Sequence, residues 1–148
     1  MPYALPHWVW VAVVGAVASA AVLRGGQDER IAAVALLIGS LATKALYSHQ
    51  GLQTEYGVLA VDIGLLAVLT WLALLTKRYW PIFAASFQLL AVVIHLARMA
   101  VPSLGGWSYI SAGIIFGYLL AGAIAVGTWN AWRDSRQIAV TADDATRQ

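Results

Sequence analysis

The stretch VLAVDIGLLAVLTWLALLTKRYWPIFAASFQLLAVVIHLARMAV, residues 58–101, holds two long apolar runs on either side of a short basic segment. Each run is close to the ~20 residues that an α-helix needs to cross a hydrocarbon core of about 30 Å. Pro81 opens the second run, and proline is well tolerated in the first turn of a helix. The stretch therefore predicts a transmembrane helical hairpin.

The same pattern continues over most of the chain. Of its 148 residues, 61% are hydrophobic and 11% are charged, whereas ordinary soluble domains are about 45–50% apolar. No segment shows the two-residue alternation of a membrane β-strand. The sequence predicts an all-α integral membrane bundle of five transmembrane helices in residues 1–132, followed by a polar tail in residues 133–148. The predicted spans are residues 5–23, 31–47, 58–76, 81–101 and 109–129.

The basic residues predict the orientation of this bundle. Lys and Arg occupy alternate connectors and the tail, while the N-terminus and residues 48–57 and 102–108 have none. Because basic loops stay in the cytoplasm, the N-terminus is predicted outside and the C-terminus inside, which requires an odd number of spans. Trp and Tyr residues near the span ends, Trp80 among them, resemble an aromatic belt. The basic residues concerned are Arg24, Arg30, Lys77, Arg78, Arg133, Arg136 and Arg147.

The two ends of the chain need separate treatment. The segment VASAAV in the first span resembles a signal-peptide cleavage site, but the preceding MPYALPH lacks Lys and Arg. The first span is therefore expected to be retained. The tail RDSRQIAVTADDATRQ is polar and mixed in charge, which favours a disordered cytoplasmic peptide.

Four ionisable residues lie inside the predicted spans at similar depth. Given the predicted orientation, Lys44, Asp62, His95 and Arg98 fall roughly 4–10 Å below the outer surface, at ~1.5 Å per residue. Gln88 precedes His95 by seven residues and so shares its helical face with His95 and Arg98. The adjoining connector adds His49 and Glu55.

This outer polar layer has two interpretations. An unpaired charge near the middle of a span costs about 2.5–3.5 kcal/mol, so Asp62 is expected to pair with Lys44 or Arg98. In the first interpretation the layer is structural: the cations reach the headgroups and the ion pair fixes helix register. In the second, Asp62, Lys44, His95 and Arg98 line a small water-accessible site on the outer side.

The fifth span carries small residues every four positions, a spacing that lets helix backbones approach closely. The predicted seam can serve packing within the chain, or contact with a second copy or another membrane protein. A shorter ladder in the first span makes spans 1 and 5 the candidate partner-facing helices. The seam consists of Gly113, Gly117, Ala121 and Ala125.

Several chemistries have no support in the sequence. Cysteine is absent, and none of the common phosphate-binding, zinc-protease, serine-hydrolase or haem-attachment motifs occurs. The chain is therefore predicted to be no enzyme and to bind no cofactor, metal or nucleic acid. For haem, His95 would need a second axial histidine, and only His7 and His49 remain, one near the chain start and one in a connector.

Residues 61–98 contain Asp62, the basic turn before Tyr79-Trp80-Pro81, and the Gln88/His95/Arg98 face. This stretch resembles small uncharacterised inner-membrane proteins of alphaproteobacteria, particularly sphingomonad-like ones. The resemblance implies a multi-pass protein of the bacterial inner membrane and carries no activity. The sequence favours a non-enzymatic accessory or assembly component. The alternatives are a periplasm-facing ion or small-solute binding or permeation protein, and a quinone or haem site of a redox complex.

Overall fold

A computed structural model describes residues 7–47, 53–101 and 106–147, and these residues form five α-helices and no strand. The predicted all-helical fold is confirmed. The helices are α1 (His7–Arg24), α2 (Gln27–Tyr47), α3 (Gln53–Leu75), α4 (Trp80–Ala100) and α5 (Gly106–Thr146).

Three of the described helices are long and apolar enough to cross a membrane, through the segments Tyr56–Leu75, Trp80–Ala100 and Ile110–Thr141. α1 adds a shorter apolar segment, Trp8–Arg24. The number of crossings and their direction remain predictions.

The helices form a closed ring in chain order. Each helix packs against the next one, α5 returns to pack against α1, and α2 also touches α5. The α1–α2 and α3–α4 connectors meet at one end of the bundle, where Glu29 contacts Arg78; we call this the Glu29 end. The opposite end, towards which α4 continues past His95, is called the His95 end.

The α1–α2 connector is the tightest turn in the described chain and consists of Gly25 and Gly26. A Cβ atom on Gly25 would lie 2.5 Å from the carbonyl oxygen of Ala21 and 2.9 Å from the Cβ of Glu29. Only glycine fits this approach of two helix ends. The turn therefore brings the start of α2 directly against the end of α1.

The core combines large apolar side chains with small ones that let the helices approach. Leu69, Leu72 and Ile124 are fully buried, and Ala84 and Ala121 lie in the same cluster. Many other large apolar side chains are exposed on the outer surface. A bundle that is apolar both inside and outside suits a lipid environment.

The prediction that the tail is a disordered peptide is wrong, because α5 continues to Thr146. Interactions one helical turn apart support the extension. Arg147 bonds Asp143 at 2.9 Å, and the Arg136 guanidinium lies 4.1 Å from the centre of the Trp132 ring. Such i,i+4 contacts stabilise a solvated helix, and polarity alone does not prevent helix formation.

Candidate functional site

The first polar network joins α3 to α4 through Asp62. The Gln88 Nε2 group donates to Asp62 Oδ1 at 3.0 Å and to the Asp62 carbonyl oxygen at 3.2 Å. His95 Nε2 lies 2.9 Å from Asp62 Oδ2, where an imidazole N–H can donate to the carboxylate. Each carboxylate oxygen therefore has a donor from α4.

The helical repeat explains why Gln88 and His95 reach the same carboxylate. They are seven residues apart, about two turns of α-helix, and so lie on one face of α4. The Gln88 residue is 4% exposed, and the side chains of His95 and Asp62 are 15% and 20% exposed. The deeper part of the network is closed by protein, while the His95 part is near the surface.

The structure brings together three of the five residues of the predicted layer. The expected pairing of Asp62 with Lys44 or Arg98 is wrong: among the described residues, its side-chain partners are Gln88 and His95. Lys44 is exposed on α2, and Arg98 is half-buried, almost one turn beyond His95 on α4. The long cations lie at the edge of the layer. His49 lies outside the described residues.

A second polar network, which the sequence reading did not identify, lies at the Glu29 end. Glu29 is 1% exposed, and its Oε1 atom accepts from Trp80 Nε1 at 2.9 Å and from Arg78 Nη1 at 3.2 Å. Its Oε2 atom accepts from the Gly26 N–H at 2.9 Å. One buried carboxylate thus connects the α1–α2 turn to the α3–α4 turn.

Trp80 completes this second network, and its predicted place in the aromatic belt is wrong. It is 5% exposed, and its ring lies against the α5 backbone at Gly127, where a Cβ atom would come within 2.6 Å of it. Trp80 therefore faces the bundle interior, because its N–H has an acceptor in Glu29 and its ring has a flat surface at glycine.

A local signal for Glu29 is present in the sequence. Glu29 follows Gly26 by three residues, and the Gly26 carbonyl accepts a helical bond from the Arg30 N–H at 3.2 Å. Gly26 is thus the N-cap and Glu29 the third helical residue, a position where Glu often bonds back to the N-cap N–H. The long-range contacts to Arg78 and Trp80 leave no such signal.

The small residues of the predicted seam fall in different environments. A Cβ atom on Gly117 would meet Trp10 of α1 at 3.1 Å, and Ala121 is buried in the core. Ala125 lines a groove between α1 and α5. Among the residues that the structure describes, a Cβ atom on Gly113 would have no neighbour within 4 Å. The middle of the seam therefore packs within the chain, and its Gly113 end is open.

Metal or haem ligation has little geometric basis in the part of the chain that the structure describes. That part contains no group of three or more His, Asp or Glu residues that could hold a metal ion. The Nε2 atom of His95 already bonds Asp62, so axial ligation through this atom would first break that contact.

Comparison of the chain with protein-family models, with curated proteins and with solved structures found no match. The two polar networks and the apolar surfaces around them are therefore the features from which a function can be inferred.

Proposed function

We propose that the chain is a non-enzymatic multi-pass protein of the bacterial inner membrane that acts as an accessory or assembly component. All five helices cross the bilayer, with the Glu29 end in the cytoplasm. The support is the apolar length of α3, α4 and α5, the apolar character of α1, and the meeting of two basic connectors at one end of the bundle.

The observation that carries the structural role is that both oxygens of the Asp62 carboxylate contact side chains of α4. Both of its oxygens accept from α4 side chains, an arrangement that holds α3 and α4 in one register. A catalytic carboxylate needs an oxygen available to a substrate proton or carbon. Here each oxygen has a contact that joins α3 to α4.

A double-mutant cycle tests this role. Asp62→Ala leaves the His95 N–H without its acceptor and leaves the Gln88 amide only the backbone carbonyl of residue 62, and we expect a loss of about 1–3 kcal/mol in unfolding free energy. The Asp62–His95 coupling energy should be about 0.6–1.7 kcal/mol, the range of side-chain hydrogen bonds between membrane helices. SDS titration of the purified protein in mild detergent, followed by circular dichroism, measures both quantities.

The matched control is Ile63→Ala, since Ile63 is the next residue and is exposed. It should change stability by less than Asp62→Ala. A zero coupling energy, or equal losses for the two alanine variants, would contradict the proposed register role.

The accessory role is tested by what remains bound to the protein. Affinity purification from membranes in mild detergent, with mass spectrometry of the retained proteins, should recover one partner in stoichiometric amount. Gly113→Leu fills the open end of the seam, and Gly64→Leu fills an open position on α3. A partner on α5 should be weakened by the first variant alone; recovery of the protein without any partner would refute the role.

The predicted topology has its own experiment because the chain contains no cysteine. Single-cysteine variants at Gln50 and Ser103 should react with a membrane-impermeant maleimide in spheroplasts. Those at Lys77 and Arg136 should react only after lysis. Labelling of Lys77→Cys in intact spheroplasts would show that the orientation is the opposite of the predicted one.

A second candidate function is a conduction path for protons or small cations at the His95 end. The partial exposure of Asp62 and His95, 20% and 15%, favours it, since ionisable residues inside a span often mark ion pathways. Proteoliposomes holding a pH-sensitive dye should then acidify under an imposed potential, and Asp62→Asn should abolish the flux. Equal flux in empty liposomes would exclude this function.

A further inference from the structure

A groove between α1 and α5 near the Glu29 end belongs to neither polar network. Its volume is about 270 Å³, and its walls include Ala16, Ala20 and Arg24 of α1, and Ala125, Trp129 and Trp132 of α5. The Thr128 hydroxyl, which also borders the groove, donates to the Ile124 carbonyl. The walls are therefore apolar, and the charge is concentrated where Arg24 ends α1.

Two arginines lie against the Trp132 ring at the charged end of this groove. The Arg24 guanidinium lies 5.5 Å from the centre of the Trp132 ring, and that of Arg136 lies 4.1 Å from it. Both arginines are exposed, and neither forms an ion pair with a carboxylate in the described part of the chain. Stacking on the Trp132 indole keeps two positive charges close to this ring without neutralising them.

The order of these groups along the membrane normal, with the alanines below the arginines, matches the order of acyl chain and phosphate in a phospholipid. Ala16 precedes Arg24 by eight residues, so the small-residue wall extends about 12 Å below the guanidinium at ~1.5 Å per residue. An acyl chain can lie along the alanines while a phosphate reaches the arginines, which bind phosphate oxygens in pairs. A zwitterionic headgroup would add its own cation beside two unneutralised guanidinium groups.

We infer that the groove binds one anionic phospholipid, with its headgroup phosphate on Arg24 and Arg136 and an acyl chain over Ala16, Ala20 and Ala125. The inference rests on the membrane location in the proposed function, which the labelling experiment tests separately. The assignment requires neither a particular partner nor a role for Asp62.

Native mass spectrometry of the full chain in nonionic detergent, with equal amounts of phosphatidylglycerol and phosphatidylcholine added, tests the inference. The wild type should retain one phosphatidylglycerol in preference to phosphatidylcholine. Arg24→Gln should weaken that retention about fivefold and the double change with Arg136→Gln about 25-fold, given the usual contribution of one basic residue near an anionic membrane. Arg147→Gln, in the same helical extension but outside the groove, should have no effect.

A second pair of variants tests the acyl position. Ala20→Leu fills the groove and should lower phosphatidylglycerol retention, whereas Ala67→Leu on the exposed surface of α3 should leave it unchanged. Circular dichroism verifies that each variant is folded. Equal retention of the two lipids by the wild type, equal effects of Arg24→Gln and Arg147→Gln, or displacement of the lipid by inorganic phosphate would each overturn the assignment.

Discussion

Replacement of Glu29 by alanine should destabilise the bundle more than any other single change at a charged residue of the Glu29 end. The substitution removes the acceptor for three donors: the Gly26 N–H, the Trp80 indole N–H and the Arg78 guanidinium. Arg78 can readily recover its hydrogen bond from solvent, because its side chain is 37% exposed, whereas that of Glu29 is 1% exposed. The Trp80 N–H cannot, because Trp80 is 5% exposed.

The expected loss follows from these burials. The buried Trp80 N–H without an acceptor costs about 1–3 kcal/mol, and loss of the N-cap bond at Gly26 adds about 1 kcal/mol. The Arg78 contact contributes only about 0–1 kcal/mol, because the partly exposed guanidinium can bond water once Glu29 is removed. We therefore expect Glu29→Ala to lower the unfolding free energy by about 2–4 kcal/mol.

SDS titration followed by circular dichroism measures the loss, and Asp28→Ala is the matched control. Asp28 is the preceding acidic residue in the same helical turn, so its removal costs only about 0.3–1 kcal/mol through the helix dipole. Glu29→Gln should fall between the two, since its amide oxygen can still accept from Trp80 or Arg78. If Glu29→Ala and Asp28→Ala were equally stable, the buried carboxylate would have no role in joining the two turns.

Three further outcomes concern α5. Gly127→Ala places a Cβ 2.6 Å from the Trp80 ring and should destabilise the bundle by about 1–3 kcal/mol in the SDS titration. Gly122→Ala, with nothing within 4 Å of its Cβ, should instead be neutral or stabilising by up to about 1 kcal/mol; a reversed order would exclude the Trp80–Gly127 contact. Removal of residues 137–148, whose described side chains are all exposed, should change stability by less than about 0.5 kcal/mol, and a larger loss would show that the tail packs against the bundle.

The helices were predictable because their signal is local. Long apolar runs, glycine pairs and Pro81 mark the ends of α1 and α4 within one or two residues. α5 was underestimated because its extension is held by contacts such as Arg147 with Asp143, which a search for apolar runs does not register. Hydropathy detects the part of a helix that suits lipid, whereas helix formation continues wherever the backbone bonds continue.

The polar contacts were predictable only where they repeat along one helix. Gln88 and His95 share a face of α4, so spacing alone places them together. Their partner depends on the position of α3 along the axis of α4. Among the described residues, Asp62 contacts His95 and does not pair with Lys44 or Arg98. For Glu29 the partners come from a turn about fifty residues away, and sequence spacing carries no information on that approach.

The Glu29 network explains how α2 can lie in an apolar bundle. α2 is not among the helices that qualify as spans by length and hydropathy in the described chain, yet Ala32, Ala33 and Leu36 are buried in the core. Its buried carboxylate, Glu29, pairs with Arg78 and accepts from Trp80 after the α3–α4 turn, and it also accepts from the Gly26 N–H at the start of its own helix. An isolated α2 would therefore leave that carboxylate unsatisfied, at a cost of several kcal/mol. We expect α2 to enter the membrane together with its neighbours, so that the Glu29 network forms as the bundle assembles.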